Sequence, residues 1–318
     1  MSLAFETKTA ICILICFHFH LILATHRYNY VRHLVPKTIN SSLRVHNGKP
    51  VQLGEIPYQV GFKTRSRNLY VTFCGGSIIG ESKLLSAAHC FVEDVTGVKT
   101  LCQGQTEAKS LRNTYAVAAT IRNYASARNT DRIAQWRTLR NLIYPDDYKF
   151  PDNDIAILIV TSPFVFNKYV QPINLANAFI DYSGLCLVSG YGRISYDILS
   201  DSLMKAHLEL LPERWCSMVH NRDMSKFVCT SLIETDIGHG DSGGPLVCAH
   251  TGDPGEKNGT GILVGVASGT YEQVNSIFSR VSKFRAFIEK NSCVKTDGAS
   301  FYFVTFFVLP NIYDLFAF

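Results

Sequence analysis

The sequence predicts an all-β architecture, a barrel or a sandwich, on three observations. From Gly54 onward the 318-residue chain reads as short β-rich segments separated by turn signals. Close to the end, Val281, Phe284, Phe287 and Ile288 fall on one helical face, so a helix is expected there. The hydrophobic share of 47% is enough for a chain of this length to bury a large core.

The N-terminus comes first in the order of elements. Ala10 to Phe17, continuing through Leu21 to Ala24, is apolar, follows Lys8 and ends on a small residue. Residues 1–24 therefore read as a secretory signal peptide, with an uncleaved signal anchor as the other reading. Residues 25–44 are polar and basic without a period and read as a propeptide. Strands are expected over 71–79, 155–160, 185–189, 245–249 and 262–268, where apolar and β-branched residues run between turns. The formal charge of +5 is spread along the chain rather than clustered, which argues against a nucleic-acid partner. Of the ten cysteines, Cys12 and Cys16 leave with the signal. No Cys-x-x-Cys or His-x-x-x-His spacing occurs, so neither a metal nor another cofactor is expected. Asn40-Ser41-Ser42 and Asn258-Gly259-Thr260 are glycosylation sequons, consistent with secretion.

Three motifs carry the chemistry. Gly240-Asp241-Ser242-Gly243-Gly244-Pro245 is a tight turn whose glycines let backbone N–H groups converge beside a serine, which suits a nucleophile next to an oxyanion hole. Ser86-Ala87-Ala88-His89-Cys90 lies upstream, and Asp152-Asn153-Asp154 precedes an apolar run between the two. A serine hydroxyl is a weak nucleophile at neutral pH and needs an imidazole to take its proton, and a carboxylate to orient that imidazole. Taken singly, the His next to a cysteine, the Asp before a strand and the Ser in a turn all have structural explanations. Their order, His then Asp then Ser, is a known order of the catalytic triad.

With these motifs the chain resembles the trypsin/chymotrypsin-like serine proteases from about Val45 to Asn291. The resemblance implies two six-stranded antiparallel β-barrels with a C-terminal α-helix and a cleft between the barrels. The protease domain would be 45–291 and residues 292–318 a C-terminal extension. The resemblance assigns His89, Asp154 and Ser242 as catalytic and the N–H groups of Gly240 and Ser242 as the oxyanion hole. It pairs Cys74 with Cys90, Cys186 with Cys248 and Cys216 with Cys229, leaving Cys102 and Cys293 unassigned. Cleavage between Arg44 and Val45 would free an amine that pairs with Asp241. The family usually has a branched apolar residue and then Gly after the new terminus, where this chain has His46 and Asn47. Ser268 matches the serine that supports the aspartate and, with Gly269, Thr270 and Ser276, falls in the substrate-binding set. Asp236, six residues before Ser242, stands where the trypsin branch holds its pocket acid, which implies cleavage after Arg or Lys.

The chain departs from the pattern around this pocket. Gly238 replaces a usual cysteine, and the usual Trp after Ser268 is absent. Thr270 or Ser276 would narrow the pocket, and then small or apolar residues would be preferred. Two segments exceed the family minimum. The stretch between Phe91 and Tyr115, with Cys102, is either a loop over the cleft or a solvent-exposed insertion. The apolar tail Phe301–Phe318 is either the discarded part of a glycolipid-anchor signal or a plain extension. The expected protein is a secreted, extracellular zymogen of a serine endopeptidase; the alternative is a catalytically silent homologue acting as a binding or regulatory module. Implied partners are protein or peptide substrates, an activating protease and protein inhibitors, with membrane contact only through an anchor signal.

Overall fold

The structure, a computed structural model, describes residues 48–94, 106–128, 131–193, 198–231, 237–238, 240–257, 259–271 and 274–291. Arg44, Val45, Cys102, Asp236, Cys293 and the expected signal, propeptide and tail lie outside them. In chain order the strands are β1 (Lys49–Pro50), β2 (Gln59–Ser66), β3 (Leu69–Gly80), β4 (Lys83–Ser86), β5 (Val92–Asp94), β6 (Thr106–Ala108), β7 (Thr114–Ala118) and β8 (Tyr124–Ala125). There follow β9 (Gln135–Ile143), β10 (Ala156–Val160), β11 (Leu185–Gly190), β12 (Met204–Leu211), β13 (Phe227–Thr230), β14 (Pro245–Cys248), β15 (Ile262–Tyr271) and β16 (Asn275–Arg280). Helix α1 (Glu213–His220) precedes β13, and α2 (Arg285–Lys290) follows β16.

Two closed six-stranded antiparallel barrels result. The first runs β2-β7-β9-β10-β4-β3 and closes through β2 and β3; β8 adds to its edge. The second runs β12-β11-β14-β15-β16-β13 and closes through β12 and β13, with β1 added beside β12. Closure removes the unpaired edges that an open sheet exposes. The expected strands over 71–79, 155–160, 185–189, 245–249 and 262–268 are present as β3, β10, β11, β14 and β15. The expected helical face starts as a 3-10 turn over Val281–Phe284 and becomes α2, burying Val281, Phe284 and Ile288 against the second barrel. The long stretch after Phe91 contributes the pair β5–β6, which forms its own two-stranded sheet.

The barrels are filled by side chains. Val60, Phe62, Ile78, Leu84 and Leu158 fill the first, and Val188, Leu208, Leu246, Val264 and Phe278 the second, all nearly without exposure. Each such side chain contributes about 1.5–3 kcal/mol through burial. β10 is apolar at every position, Ala-Ile-Leu-Ile-Val, because both its faces are covered. Where the barrels meet, backbone and polar contacts accompany an apolar cluster shared by both. The Gly75 N–H donates to the Ser242 carbonyl at 2.7 Å, and the Ser189 hydroxyl donates to Gln59 Oε1 at 2.6 Å. A Cβ on Gly75 would lie 3.0 Å from the Gly244 Cα, so glycine at this crossing lets the two chains meet.

Among the described residues, three disulfides staple the fold: Cys74–Cys90, Cys186–Cys248 and Cys216–Cys229. They are the pairs that the family resemblance implies, and each typically adds ~2–4 kcal/mol.

Candidate active site

His89 sits in a 3-10 turn, Ala88–Cys90, directly after β4. The Cys74–Cys90 disulfide holds that turn to β3. Asp154 stands just before β10, after Asn153, whose φ of 55° is a left-handed conformation that asparagine tolerates. The two residues meet twice. The His89 backbone N–H donates to Asp154 Oδ1 at 2.9 Å, and its Nδ1 lies 2.7 Å from Oδ2. Two further donors serve the aspartate. The Ser268 hydroxyl donates to Oδ2 at 2.5 Å, and the Ser279 hydroxyl to its carbonyl oxygen at 2.7 Å. The Asp154 side chain has no exposure, whereas that of His89 is 24% exposed. The Asp154 carboxyl group, facing Nδ1, orients the imidazole ring, whose Nε2 lies 4.0 Å from Cys90 Sγ.

Ser268 reaches Asp154 because of a break in the β-ladder. The pairing of β15 with β16 steps from Ala267 to Gly269 and leaves Ser268 as the extra residue. Such a bulge turns one side chain out of the regular alternation. Ser268 therefore serves the aspartate, and among the residues grouped as substrate-binding it has a different contact from the rest.

Ser242 lies in the turn between Gly240 and Gly243, whose φ values are +104° and +75°. A Cβ on Gly243 would fall 2.2 Å from Ser86 Oγ and 3.1 Å from the Ala87 nitrogen, so only glycine lets this turn pack against the residues leading into His89. The Gly243 N–H donates to the Ala267 carbonyl at 2.7 Å, one residue before Ser268. The serine is thus clamped between β3 and β15. Among the described residues, the N–H groups of Gly240 and Ser242 have no acceptor, and no hydrogen bond joins the Ser242 hydroxyl to His89.

Asp241 points away from the cleft. Its buried carboxylate accepts the Gly192 N–H at 2.8 Å and the Gly238 N–H at 2.8 Å. A Cβ on Gly190 or Gly192 would come within 2.3 Å of its oxygens, so both glycines make room for it. Thr270 is exposed, while Ser276 is wholly buried on β16 opposite Thr270 and Thr230. Among the described residues, two groups of His and Cys side chains come close together, Cys74–His89–Cys90 and Cys216–His220–Cys229. In both, the sulfurs are tied up as disulfides and offer no thiolate to a metal.

Two features escaped the sequence reading. Phe150 packs edge-on against the His89 ring, with centroids 5.4 Å apart, and is 46% exposed. Its far edge is 3.6 Å from where a Gly269 Cβ would stand. It spans the space beside the position where the usual Trp is missing. The only signal was an aromatic residue four places before Asp154, which pattern alone cannot aim at a cleft. The second is Asn275, fully buried, whose Oδ1 is 2.9 Å from His220 Nε2 beside the Cys216–Cys229 disulfide.

Residues 45–288 match the family model described as Trypsin. The chain belongs to the trypsin family. As a trypsin-family chain it is 32% identical over 260 residues to Transmembrane protease serine 9 of Rattus norvegicus, covering 78% of this chain and 22% of that protein. It is 26% identical over 275 residues to Ovochymase of Halocynthia roretzi, covering 80% and 16%. This chain thus spans only about a fifth of the length of these two relatives. It is 24% identical over 262 residues to the Venom peptide isomerase heavy chain of Agelenopsis aperta, covering 77% of this chain and 98% of that one. A solved structure of HBP, at 21% identity and a TM-score of 0.58, covers 77% of this chain and 96% of its own and shares the fold. No described helix is long and apolar enough to cross a membrane.

Proposed function

We propose that this chain is a secreted serine endopeptidase, made as a zymogen and activated by cleavage after Arg44. The observation that carries the reading is the hydrogen-bonded line from Ser268 through Asp154 to His89, with Ser242 clamped beside it. In the proposed reaction the Ser242 hydroxyl attacks the scissile carbonyl while His89 Nε2 takes its proton. Asp154 holds the resulting imidazolium. The oxyanion accepts from the N–H groups of Gly240 and Ser242, each worth ~3–4 kcal/mol in the transition state. His89 then gives the proton to the leaving amine, and water, activated by the same imidazole, releases the acyl group. No cofactor enters any step.

The freed Val45 amine would pair with Asp241 and order the pocket. Asp236 would pair with an Arg or Lys of the substrate. The three disulfides agree with an extracellular location. Protein or peptide substrates, an activating protease and protein inhibitors are the proposed partners.

A second reading, a silent homologue that acts by binding, is favoured by one observation: the Ser242 hydroxyl and His89 are not hydrogen-bonded among the described residues. Such contacts are often long before substrate arrives. Cleavage of an unfolded protein by the Arg44-cleaved chain, compared with its Ser242→Ala and His89→Ala variants, separates the two. The enzyme reading expects turnover that falls by at least about a thousandfold in either variant. Equal cleavage by the variants, or none by the parent chain, overturns it.

A further inference from the structure

Asp154 belongs to the first barrel, yet the segment that leads into it is fastened to the second. Asn153 is 7% exposed and turns the chain at a φ of 55° immediately before Asp154. The Ile155 N–H closes that turn on the Asn153 carbonyl at 2.9 Å. The Asn153 carboxamide is used at both ends: Nδ2 donates to the Asp147 carbonyl at 3.2 Å, and Oδ1 accepts from the Lys226 ammonium at 2.8 Å. An ammonium only donates, so the amide oxygen must face Lys226 and the amide nitrogen the carbonyl. One residue earlier, Asp152 forms an ion pair with Arg222.

Both cations come from one stretch of the second barrel. Arg222 follows α1, and Lys226 stands just before β13. The Cys216–Cys229 disulfide closes the loop that carries them. Each is anchored behind its contact. The Lys226 carbonyl accepts the Arg280 N–H at 2.8 Å, and the Arg222 N–H donates to the Ser217 carbonyl at 3.2 Å. The Arg222 guanidinium lies over the Phe227 ring at 5.5 Å. Asp223, the acid next to Arg222, accepts the Ser225 N–H at 2.8 Å and the Ser225 hydroxyl at 3.1 Å. Among the described residues Lys226 forms no ion pair, and its ammonium goes to Asn153. Arg280 follows Ser279, whose hydroxyl holds the Asp154 carbonyl. The loop and β16, bonded to each other, therefore grip the same turn.

On the catalytic reading of His89, Asp154 and Ser242, on which this step rests, we propose that Lys226 and Arg222 are positioning residues. They latch Asn153 and Asp152 to the second barrel and thereby set the direction in which Asp154 meets His89. Stability is a weaker account of these contacts. The Arg222 and Asp152 side chains are 40% and 44% exposed, Lys226 is exposed, and exposed charged contacts add little to the free energy of folding. Direction matters more, because the left-handed turn at Asn153 allows few backbone angles and leads straight into Asp154. A rotation there swings the carboxyl group off the imidazole, and a displacement of about 1 Å costs up to ~100-fold in rate.

The test uses the Arg44-cleaved chain and a short chromogenic amide. Lys226→Met is expected to lower kcat about tenfold and to leave KM within about twofold, and Arg222→Ala to lower kcat about threefold. Lys226→Arg keeps a donor for Asn153 Oδ1 and is expected to hold kcat within about twofold of the parent. The substituted side chains are exposed, so the variants keep the fold, which a thermal melt checks. In the Ser242→Ala chain, where turnover plays no part, the proton and nitrogen shifts of the His89 ring are expected to move in Lys226→Met and to return in Lys226→Arg. An unchanged kcat in Lys226→Met, a loss that Lys226→Arg shares, or unmoved ring shifts overturns the proposal. A parent chain without turnover would sink the catalytic reading instead, and the ring shifts of the Ser242→Ala series would then decide the latch alone.

Discussion

Phe150 and Gly269 form a pair on the scale of single residues. The ring bridges the space between the proposed base and the strand that lacks its usual tryptophan. In the proposed enzyme, an aromatic wall at that place would limit the width of a substrate side chain next to the scissile bond. Phe150→Ala is expected to raise kcat/KM for peptides with bulky residues there and to leave small ones unchanged within about twofold, as a substrate series would record. The proposed pocket acid, Asp236, is a separate matter. Asp236→Ser is expected to reduce kcat/KM on Arg substrates by at least about a hundredfold and to leave Ala substrates nearly unaffected, since a desolvated guanidinium without its carboxylate is costly. A wild-type preference for Ala, untouched by Asp236→Ser, would mean that the rebuilt rim decides specificity.

At the scale of elements, β2 holds an unusual side chain. Lys63 is buried without an acid and donates to Thr72 Oγ1 at 2.6 Å and to the carbonyls of Arg122 and Asn123 at 2.8 and 2.6 Å. Its ammonium also lies over the Tyr191 ring. Burial lowers its pKa from the ordinary 10.5 to about 7. Between those values the unfolded chain binds the proton and the folded one releases it, so this residue makes stability rise with pH from about 7 toward 10. Below about 7 the cost of burying the charge is carried in full. Lys63→Met in the Ser242→Ala background is expected to lose that rise, read from urea midpoints at pH 6.5, 8 and 9.5. A parallel rise in both proteins would show that Lys63 does not titrate in this interval.

The same scale shows what was legible. β10, β14 and β15 announced themselves because continuous apolar runs bounded by turns have few other readings. The Gly240–Pro245 turn and the residues around His89 and Asp154 were legible because their chemistry demands particular residue types in a particular order. The bulge that aims Ser268 at Asp154 was not, because register is a relation between two strands and leaves no mark in one. Phe150 and Asn275 were invisible for a similar reason, since each meets a partner distant in the chain, His89 for the first and His220 for the second.

At the scale of the molecule, neither barrel holds the site alone. His89 and Asp154 come from the first, and Ser242 and Ser268 from the second, with the Gly75–Ser242 bond as the seam. In the proposed activation step, the ordering of Asp241 would govern the whole. Its buried carboxylate already takes two N–H groups, and the proposed Val45 amine would supply the opposite charge. Arg44→Gln is therefore expected to stay latent after exposure to trypsin, and active protein is expected to begin at Val45 on N-terminal sequencing. Activity from a chain that begins elsewhere would remove the activation step from the account.

The most direct measurement is labelling of the Arg44-cleaved protein with a fluorophosphonate, followed by peptide mapping. An activated serine is expected to give one covalent adduct, on Ser242, that is lost in His89→Ala and absent before cleavage. No adduct on Ser242 after cleavage, or an adduct that survives the loss of His89, would contradict the catalytic reading.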